Sequence, residues 1–178
     1  ARANSETNEQ VGDRSNDAIR VTGAELGAKV IGEGANLGLT QKARIEFAQA
    51  GGRLNTDFID NSAGVNSSDI EVNFKIALQP ATLAGSITPE DRKAFLASLT
   101  PDVAAACVRN NYRQSLAISL TQKLQFAATE DVVALAQFLE RRGALNRRLE
   151  SFPADEDVLK RIRAGQGLTR PELSVLMS

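Results

Sequence analysis

The chain has 178 residues and a formal net charge of −1. That length fits one domain or one and a half, which is enough to bury a real hydrophobic core. A net charge so near zero provides no basic field to hold nucleic acid or an anionic membrane surface. We therefore expect neither nucleic acid nor a membrane among its partners.

Two rare residue types restrict the chemistry. The sequence contains one cysteine and no histidine, which excludes an internal disulfide and any catalytic triad built on histidine. The commonest zinc ligand is missing as well, and we expect no metal site. Cys107 lies in an alanine-rich run, which favours a small buried packing residue over a nucleophile. A lone cysteine is typical of a reducing compartment, so we expect a cytoplasmic protein.

The start of the chain is polar and carries no hydrophobic period. We expect residues 1–14 to be disordered or to form a loosened helix end. They include neither an initiator Met nor the apolar stretch of a signal peptide, which indicates a piece of a longer protein. No apolar run in the sequence approaches the roughly 20 residues needed to span a bilayer.

Residues 28–78 alternate between extended and helical patterns. A short β-branched run at 29–33 predicts a buried strand. Thr40 is a candidate N-cap for a helix over 41–50, and a second extended run follows at 53–59. After another loop, Ser67 or Ser68 is positioned to cap a further helix. This order predicts an α/β unit with two short parallel strands, part of a Rossmann-like fold.

After Pro80 the pattern becomes helical only, so the chain is expected to be mainly α overall. We expect residues 1–80 to form one domain and residues 81–178 a helical region. Four threonines are candidate helix starts: Thr88, Thr100, Thr129 and Thr169. Two apolar stripes at helical spacing are expected to face the core: Val108, Tyr112, Leu116, Leu120 and Leu124 in one helix, and Val132, Leu135, Ala136 and Leu139 in the next.

Two loops are candidates for ligand binding, because each follows a predicted strand and opens a helix. The first, residues 32–38, contains three glycines, but the third falls one residue late for the dinucleotide fingerprint. It is either part of a phosphate cradle or a structural strand-to-helix turn, and its spacing favours the turn. The second, residues 61–68, offers an amide and hydroxyls. Its residues are also usual turn formers, and Ser68 could simply cap a helix, so composition does not choose between these interpretations.

The two loops in this order resemble a known family. Glu33-Gly-Ala-Asn36 and Asn61-Ser-Ala-Gly-Val65 are similar to the late cofactor-domain signatures of glutamate dehydrogenases. The longer stretches around them are similar to the large NAD-specific bacterial class in particular. The resemblance is close over residues 14–78 and extends more loosely to Arg109-Asn-Asn-Tyr112.

The resemblance implies roles at matching positions. Gly34 and Asn36 would bind NAD, with Asn36 at the nicotinamide-side ribose, and Asn61 would reach the nicotinamide carboxamide. Ser68 would bind the side-chain carboxylate of glutamate. The short dehydrogenases carry Asn-Ala-Gly-Gly-Val at the second signature, and the Cβ of Ala63 is expected to push the cofactor back slightly.

The resemblance also implies what this chain lacks. In the family, the phosphate loop, the substrate lysines and the catalytic Lys and Asp lie upstream of these signatures, so we expect no catalytic residue here. The chain would be part of a homo-oligomeric enzyme that oxidises L-glutamate to 2-oxoglutarate and ammonium with NAD. Alone it would be inactive and would bind NAD weakly or not at all. The alternative is a non-catalytic helical module for interaction or regulation.

Overall fold

In the computed structural model of the chain, residues 1–124 and 129–178 are described, and their regular structure is helical. Two short 3₁₀ segments lie at Arg14–Ile19 and Gly23–Glu25. The α-helices, in chain order, are α1 (Asn8–Val11), α2 (Gln41–Gln49), α3 (Asp57–Asp60), α4 (Ser62–Leu83), α5 (Pro89–Ser98), α6 (Thr100–Lys123), α7 (Asp131–Arg141), α8 (Asp155–Arg163) and α9 (Arg170–Leu176). The expectation of a mainly helical chain is confirmed for these residues.

The two predicted parallel strands are not formed, and the prediction of a partial Rossmann-like unit is wrong. Extended backbone meets at an isolated parallel bridge between Val30 and Arg53. There Ile31 N–H donates to the Arg53 carbonyl at 2.9 Å, and Arg53 N–H donates to the Lys29 carbonyl at 2.9 Å. Val30 is 69% exposed, so this run is not a buried strand. No strand occurs anywhere in the described part of the chain.

The pairing does not continue beyond the bridge, because Glu33 takes a side-chain partner and the opposite segment turns into α3. Glu33 N–H donates to the Asp60 carboxylate at 2.9 Å instead of to a neighbouring backbone. On the other side, residues 53–59 do not stay extended, since α3 begins at Asp57. A ladder longer than one bridge therefore has no backbone partners in these segments.

The chain divides into two compact units, the first being Ala1–Asp60 together with Ser115–Ser178. Its core is apolar and draws on α3, the end of α6 and helices α7 to α9. The buried core residues are Ile59, Ile118, Val132, Ala136, Leu145, Phe152, Val158, Leu168, Leu173 and Leu176. Burial of Val132 and Ala136 confirms the apolar stripe that was predicted for α7.

The N-terminal segment packs against this unit, so the expectation of disorder there is wrong. Ala3 is 2% exposed. Asn4 N–H donates to the Glu46 carboxylate at 2.8 Å, and the Thr40 hydroxyl donates to Glu6 at 2.5 Å. These bonds join the first residues to the N-terminal and central turns of α2.

Three predicted helix caps are confirmed. The Thr40 hydroxyl accepts the Ala43 N–H at 3.1 Å, and the Thr88 hydroxyl accepts the Asp91 N–H at 3.1 Å. Thr169 forms a capping box with Glu172. Each satisfies a donor that a helix N-terminus leaves without an intrahelical partner.

The second unit, Asn61–Gln114, contains α4, α5 and the first part of α6. Cys107 is buried, at 4% exposure, as predicted. The stripe predicted to face the core in α6 is instead exposed, and that prediction is wrong: Val108 69%, Tyr112 65%, Leu116 39%, Leu120 47% and Leu124 77%. The helical period correctly shows one apolar face, but α6 buries the other face through Cys107 and Ile118. None of the described helices is long and apolar enough to cross a membrane.

Candidate functional site

The first signature loop folds around the carboxylate of Glu33. Glu33 is 6% exposed, and its Oε1 accepts the N–H groups of Gly38 at 2.5 Å and Leu39 at 3.2 Å. Gly34 and Asn36, the predicted cofactor-binding residues of this loop, are exposed. A Cβ built at Gly34 would meet no described atom within 4 Å. The loop therefore presents an open surface above a buried anion.

Two consecutive residues of this loop have left-handed backbone angles. Asn36 has φ of 59° and Leu37 has φ of 56°, a region that costs a non-glycine residue about 1–2 kcal/mol. Asn tolerates it better than most residues, whereas Leu does not. Leu37 N–H donates to Asp57 Oδ2 at 3.0 Å, so a second carboxylate holds the strained part of the loop.

Arg44 joins these two carboxylates. Its side chain projects from α2 and is buried, with the residue 5% exposed. Nε donates to Glu33 Oε2 and Nη2 to Glu33 Oε1, both at 2.9 Å. Nη2 also lies 3.1 Å from Asp57 Oδ2. A buried charge of this kind is tolerated because it is paired and hydrogen-bonded.

A second polar chain reaches the loop from α9. Arg170 Nε donates to Asn55 Oδ1 at 2.9 Å, and Asn55 Nδ2 donates to Asp60 Oδ1 at 2.9 Å. The other oxygen of Asp60 accepts the Glu33 N–H. Burial lowers the pKa of Arg170, and the charge of Arg53 acts in the same direction. The base of the loop is thereby fixed from both α3 and α9.

The second signature is the start of a helix, so the prediction of a loop over 61–65 is wrong. Asn61 is the N-cap residue of α4, with φ −102° and ψ 22°. Ser62 is 7% exposed, and its Oγ accepts a 3.2 Å hydrogen bond from Asn111 Nδ2. A Cβ at Gly64 would lie 2.7 Å from Asn61 Oδ1. Glycine at 64 therefore makes room for the Asn61 side chain.

Ser68, the predicted glutamate contact, lies within α4 and is exposed. It does not cap a helix, because α4 begins six residues earlier. Seven residues make about two helical turns, which places Asn61 and Ser68 on one face of α4, about 10 Å apart along the axis. The four predicted site residues thus form two pairs, Gly34 with Asn36 on one loop and Asn61 with Ser68 on one helix face.

The residues that hold the first loop carry no motif that marks them in the sequence. Arg44, Asp57, Asp60, Asn55 and Arg170 were not singled out. A signal for Arg44 was present, because a charged residue adjacent to Ala43 and three before Phe47 falls on the buried face of α2. Such a residue requires a buried anion. The identity of that anion depends on the fold.

Comparison with known proteins gives a consistent result. Residues 1–121 match the family model described as bacterial NAD-glutamate dehydrogenase, catalytic domain. The chain belongs to this family. It is 51% identical over 177 residues to the NAD-specific glutamate dehydrogenase of Pseudomonas aeruginosa. The NAD-specific glutamate dehydrogenases of Halomonas elongata and Mycobacterium tuberculosis are 45% and 42% identical to this chain.

These similarities cover 99% of the chain but 11% of each relative. The chain therefore corresponds to about one ninth of the length of these dehydrogenases. The family match includes both signatures, and it extends through α4 and α5 into α6.

Proposed function

We propose that the chain is part of a large bacterial NAD-dependent glutamate dehydrogenase. The whole enzyme would convert L-glutamate, NAD and water into 2-oxoglutarate, ammonium and NADH. Residues 1–80 would belong to its cofactor-binding region and residues 81–178 to the helical region that follows. The observation that carries this proposal is the catalytic-domain match over residues 1–121, supported by the three NAD-specific relatives.

The first loop is proposed to form the nicotinamide-side wall of the NAD pocket. Gly34 leaves open space where a cofactor can approach the backbone closely. The amide of Asn36 has both donors and an acceptor, which matches the donor and acceptor character of a ribose hydroxyl. Buried Glu33 and half-buried Asp57 hold the backbone of this loop in one conformation, so its binding groups are preorganised.

The N-cap and the first two turns of α4 are proposed to carry the other two contacts. Asn61 can pair with the carboxamide of the nicotinamide, because two amides offer matching donors and acceptors. The hydroxyl of Ser68 can donate to the side-chain carboxylate of glutamate, which is a charge-assisted hydrogen bond. Cofactor and substrate would then bind along one helix, two turns apart.

The residues of this chain bind and orient; they are not proposed to move protons. Where these residues hold NAD, the chemistry that the cofactor would supply is acceptance of a hydride from the substrate carbon. Asn36 and Asn61 would fix the nicotinamide end, and Ser68 would fix the end of glutamate away from the reacting carbon. Such positioning contributes to rate because it holds reacting groups in a productive geometry.

Two further features of the enzyme remain part of this proposal. We propose a homo-oligomer and a reducing cytoplasmic location, the latter supported by the buried free thiol of Cys107. A purely non-catalytic helical module is disfavoured. The relatives that match almost the whole chain, helical region included, are named as dehydrogenases.

Replacing Asn36 with glycine in the full-length enzyme tests the proposal. Asn36→Gly removes the amide but keeps a residue that adopts positive φ freely, and the KM for NAD should rise about tenfold, the loss of one hydrogen bond worth about 1.4 kcal/mol. Leu37→Gly is the matched control, because Leu37 has a similar φ, 56° against 59°, and the residue is 87% exposed. Steady-state kinetics showing equal KM values for NAD in both variants would contradict the assignment of Asn36.

A further inference from the structure

The buried side chain of Arg44 lies beneath the proposed NAD-binding wall. We propose that Arg44 is a positioning residue for NAD: it holds Glu33 and Asp57 together, and through them it fixes the loop that carries Asn36. This inference rests on the proposed function of that loop. It assigns a role to a residue that would not itself touch the cofactor.

The guanidinium of Arg44 is engaged on every side. Nε and Nη2 bind the two oxygens of Glu33, and Nη2 also lies against Asp57. Nη1 donates to Gln41 Oε1 at 3.3 Å. A planar fork with fixed donors suits this arrangement, whereas the point charge of a lysine does not reproduce it.

The carboxylates pass this order on to the backbone of the loop. Glu33 Oε1 accepts the N–H groups of Gly38 and Leu39, and Asp57 Oδ2 accepts the N–H group of Leu37. Three successive peptide groups are therefore held by oxygens that share one guanidinium. Leu37 has left-handed angles and is also the first of these three anchored residues. Asn36 therefore directly precedes the anchored stretch.

Loss of the guanidinium would release the loop for an electrostatic reason. The carboxylates of buried Glu33 and half-buried Asp57 would face each other without a cation, and like charges repel at close range. They would move apart, which weakens the acceptors that hold Leu37, Gly38 and Leu39. The left-handed angles at Asn36 and Leu37 would then lose the contacts that offset their cost.

A second buried ion pair provides the matched control. Arg161 binds Glu172 through two hydrogen bonds of 2.7 and 2.8 Å, and Glu172 is 1% exposed. Arg161 also donates to the carbonyl of Gly167 at 2.8 Å. Its partners lie in α9 and in the turn before it, not in the signature loop. Breaking either pair should lower the stability of the enzyme, but only replacement of Arg44 should raise the KM for NAD.

The experiment compares Arg44→Gln with Arg161→Gln in the full-length enzyme. Arg44→Gln should raise the KM for NAD about tenfold or more, with a smaller effect on the KM for glutamate, and should speed hydrogen–deuterium exchange in the peptide that covers residues 34–40. Arg161→Gln should lower the melting temperature while leaving the KM for NAD within about twofold of the original. Arg44→Lys should give a KM for NAD between those of the original enzyme and Arg44→Gln.

Four outcomes decide the inference. If both glutamine variants lower the melting temperature and neither changes the KM for NAD, Arg44 is only structural and the inference is overturned. If Arg44→Gln does not fold, Arg44→Lys decides instead. An unchanged KM for NAD in Arg44→Lys overturns the inference, and a raised KM for NAD supports it. If Asn36→Gly leaves the KM for NAD unchanged, the proposed function itself fails. If Asn36→Gly raises that KM while Arg44→Gln does not, the inference alone fails.

Discussion

Arg170 Nε donates a 2.9 Å hydrogen bond to Asn55 Oδ1 across 115 residues of sequence. The same guanidinium donates to Ser119 Oγ at 3.0 Å and to Gln122 Oε1 at 3.1 Å, both in α6. Asn55 in turn holds Asp60, whose other oxygen binds the backbone at Glu33. One side chain of α9 therefore ties the end of α6 to the segment that supports the signature loop.

Arg170→Gln should destabilise the chain. It removes three hydrogen bonds from a half-buried charged donor and leaves Asn55 and Ser119 without that partner, which should cost about 2–4 kcal/mol of unfolding free energy. Urea denaturation followed by circular dichroism measures the change. Arg148→Gln is the control, since Arg148 is exposed and its loss should cost no more than about 0.5 kcal/mol. Equal midpoints for the two variants would show that the Arg170 contacts contribute nothing.

Ser68→Ala in the full-length enzyme should raise the KM for glutamate far more than the KM for NAD. A hydroxyl bonded to a carboxylate contributes about 1.5–3 kcal/mol, or roughly ten- to hundredfold in catalytic efficiency. Stability should rise slightly, because alanine replaces an exposed serine inside a helix. Ser67→Ala is the matched neighbour, as Ser67 Oγ donates locally to the Gly64 carbonyl at 3.2 Å. Glutamate kinetics that do not distinguish the two variants would remove Ser68 from the site.

Asp155 should make the stability of the first unit depend on pH under acidic conditions. A hydrogen bond from Gln137 at 2.7 Å lowers its pKa, with a further contribution from Arg147, whose Nη2 lies 2.6 Å from Oδ1. A carboxylate with a depressed folded pKa stabilises the protein above its unfolded pKa, about 3.9, and this contribution is lost as pH falls through the lower folded value.

Asp155→Asn should therefore lower stability at neutral pH and flatten the acid limb of the profile. Denaturation midpoints measured from pH 7 down to pH 2 provide the test. Gln137→Ala is a second variant, which removes the hydrogen bond to the Asp155 carboxylate. Parallel curves for the original chain and Asp155→Asn would refute a role for this group.

Local signals in the sequence predicted three helix caps, but they predicted neither the start of α4 nor the structure of the extended runs. Thr40, Thr88 and Thr169 act within their own helix turn, so their caps could be predicted from neighbouring residues alone. The run at 29–33 needed a partner strand, and whether a partner is present is a property of the whole fold. Its backbone instead meets Arg53 at one bridge. A short apolar run does not reveal its own neighbours.

Composition also misplaced the start of α4. Ser62 and Gly64 have poor helix propensity, which made residues 61–65 resemble a loop. Tertiary contacts override that preference, because Ser62 is buried against Asn111 and Gly64 accommodates the Asn61 side chain. Helix propensity is worth less than about 1 kcal/mol per residue, so contacts of this kind can decide the outcome.

The candidate site also contains residues that the sequence identified and residues that it did not. Resemblance to the family supplied Gly34, Asn36, Asn61 and Ser68, whereas spacing alone could not separate a cofactor loop from an ordinary turn. The supporting residues depend on long-range geometry that the sequence order does not display. Arg44 and Glu33 are 11 residues apart, yet their pairing requires the loop between them to fold back on a buried carboxylate.

The distance between the Asn36 amide and bound NAD decides whether the first loop forms part of the cofactor pocket. A crystal or cryo-EM structure of the full-length enzyme with NAD gives this distance. We expect an atom of the Asn36 amide to lie within about 3.5 Å of a hydroxyl of the nicotinamide-side ribose, while the Glu33–Arg44–Asp57 contacts beneath the loop stay intact. An Asn36 amide farther from the cofactor than one bridging water can span, about 6 Å, would show that the loop does not bind NAD in this way.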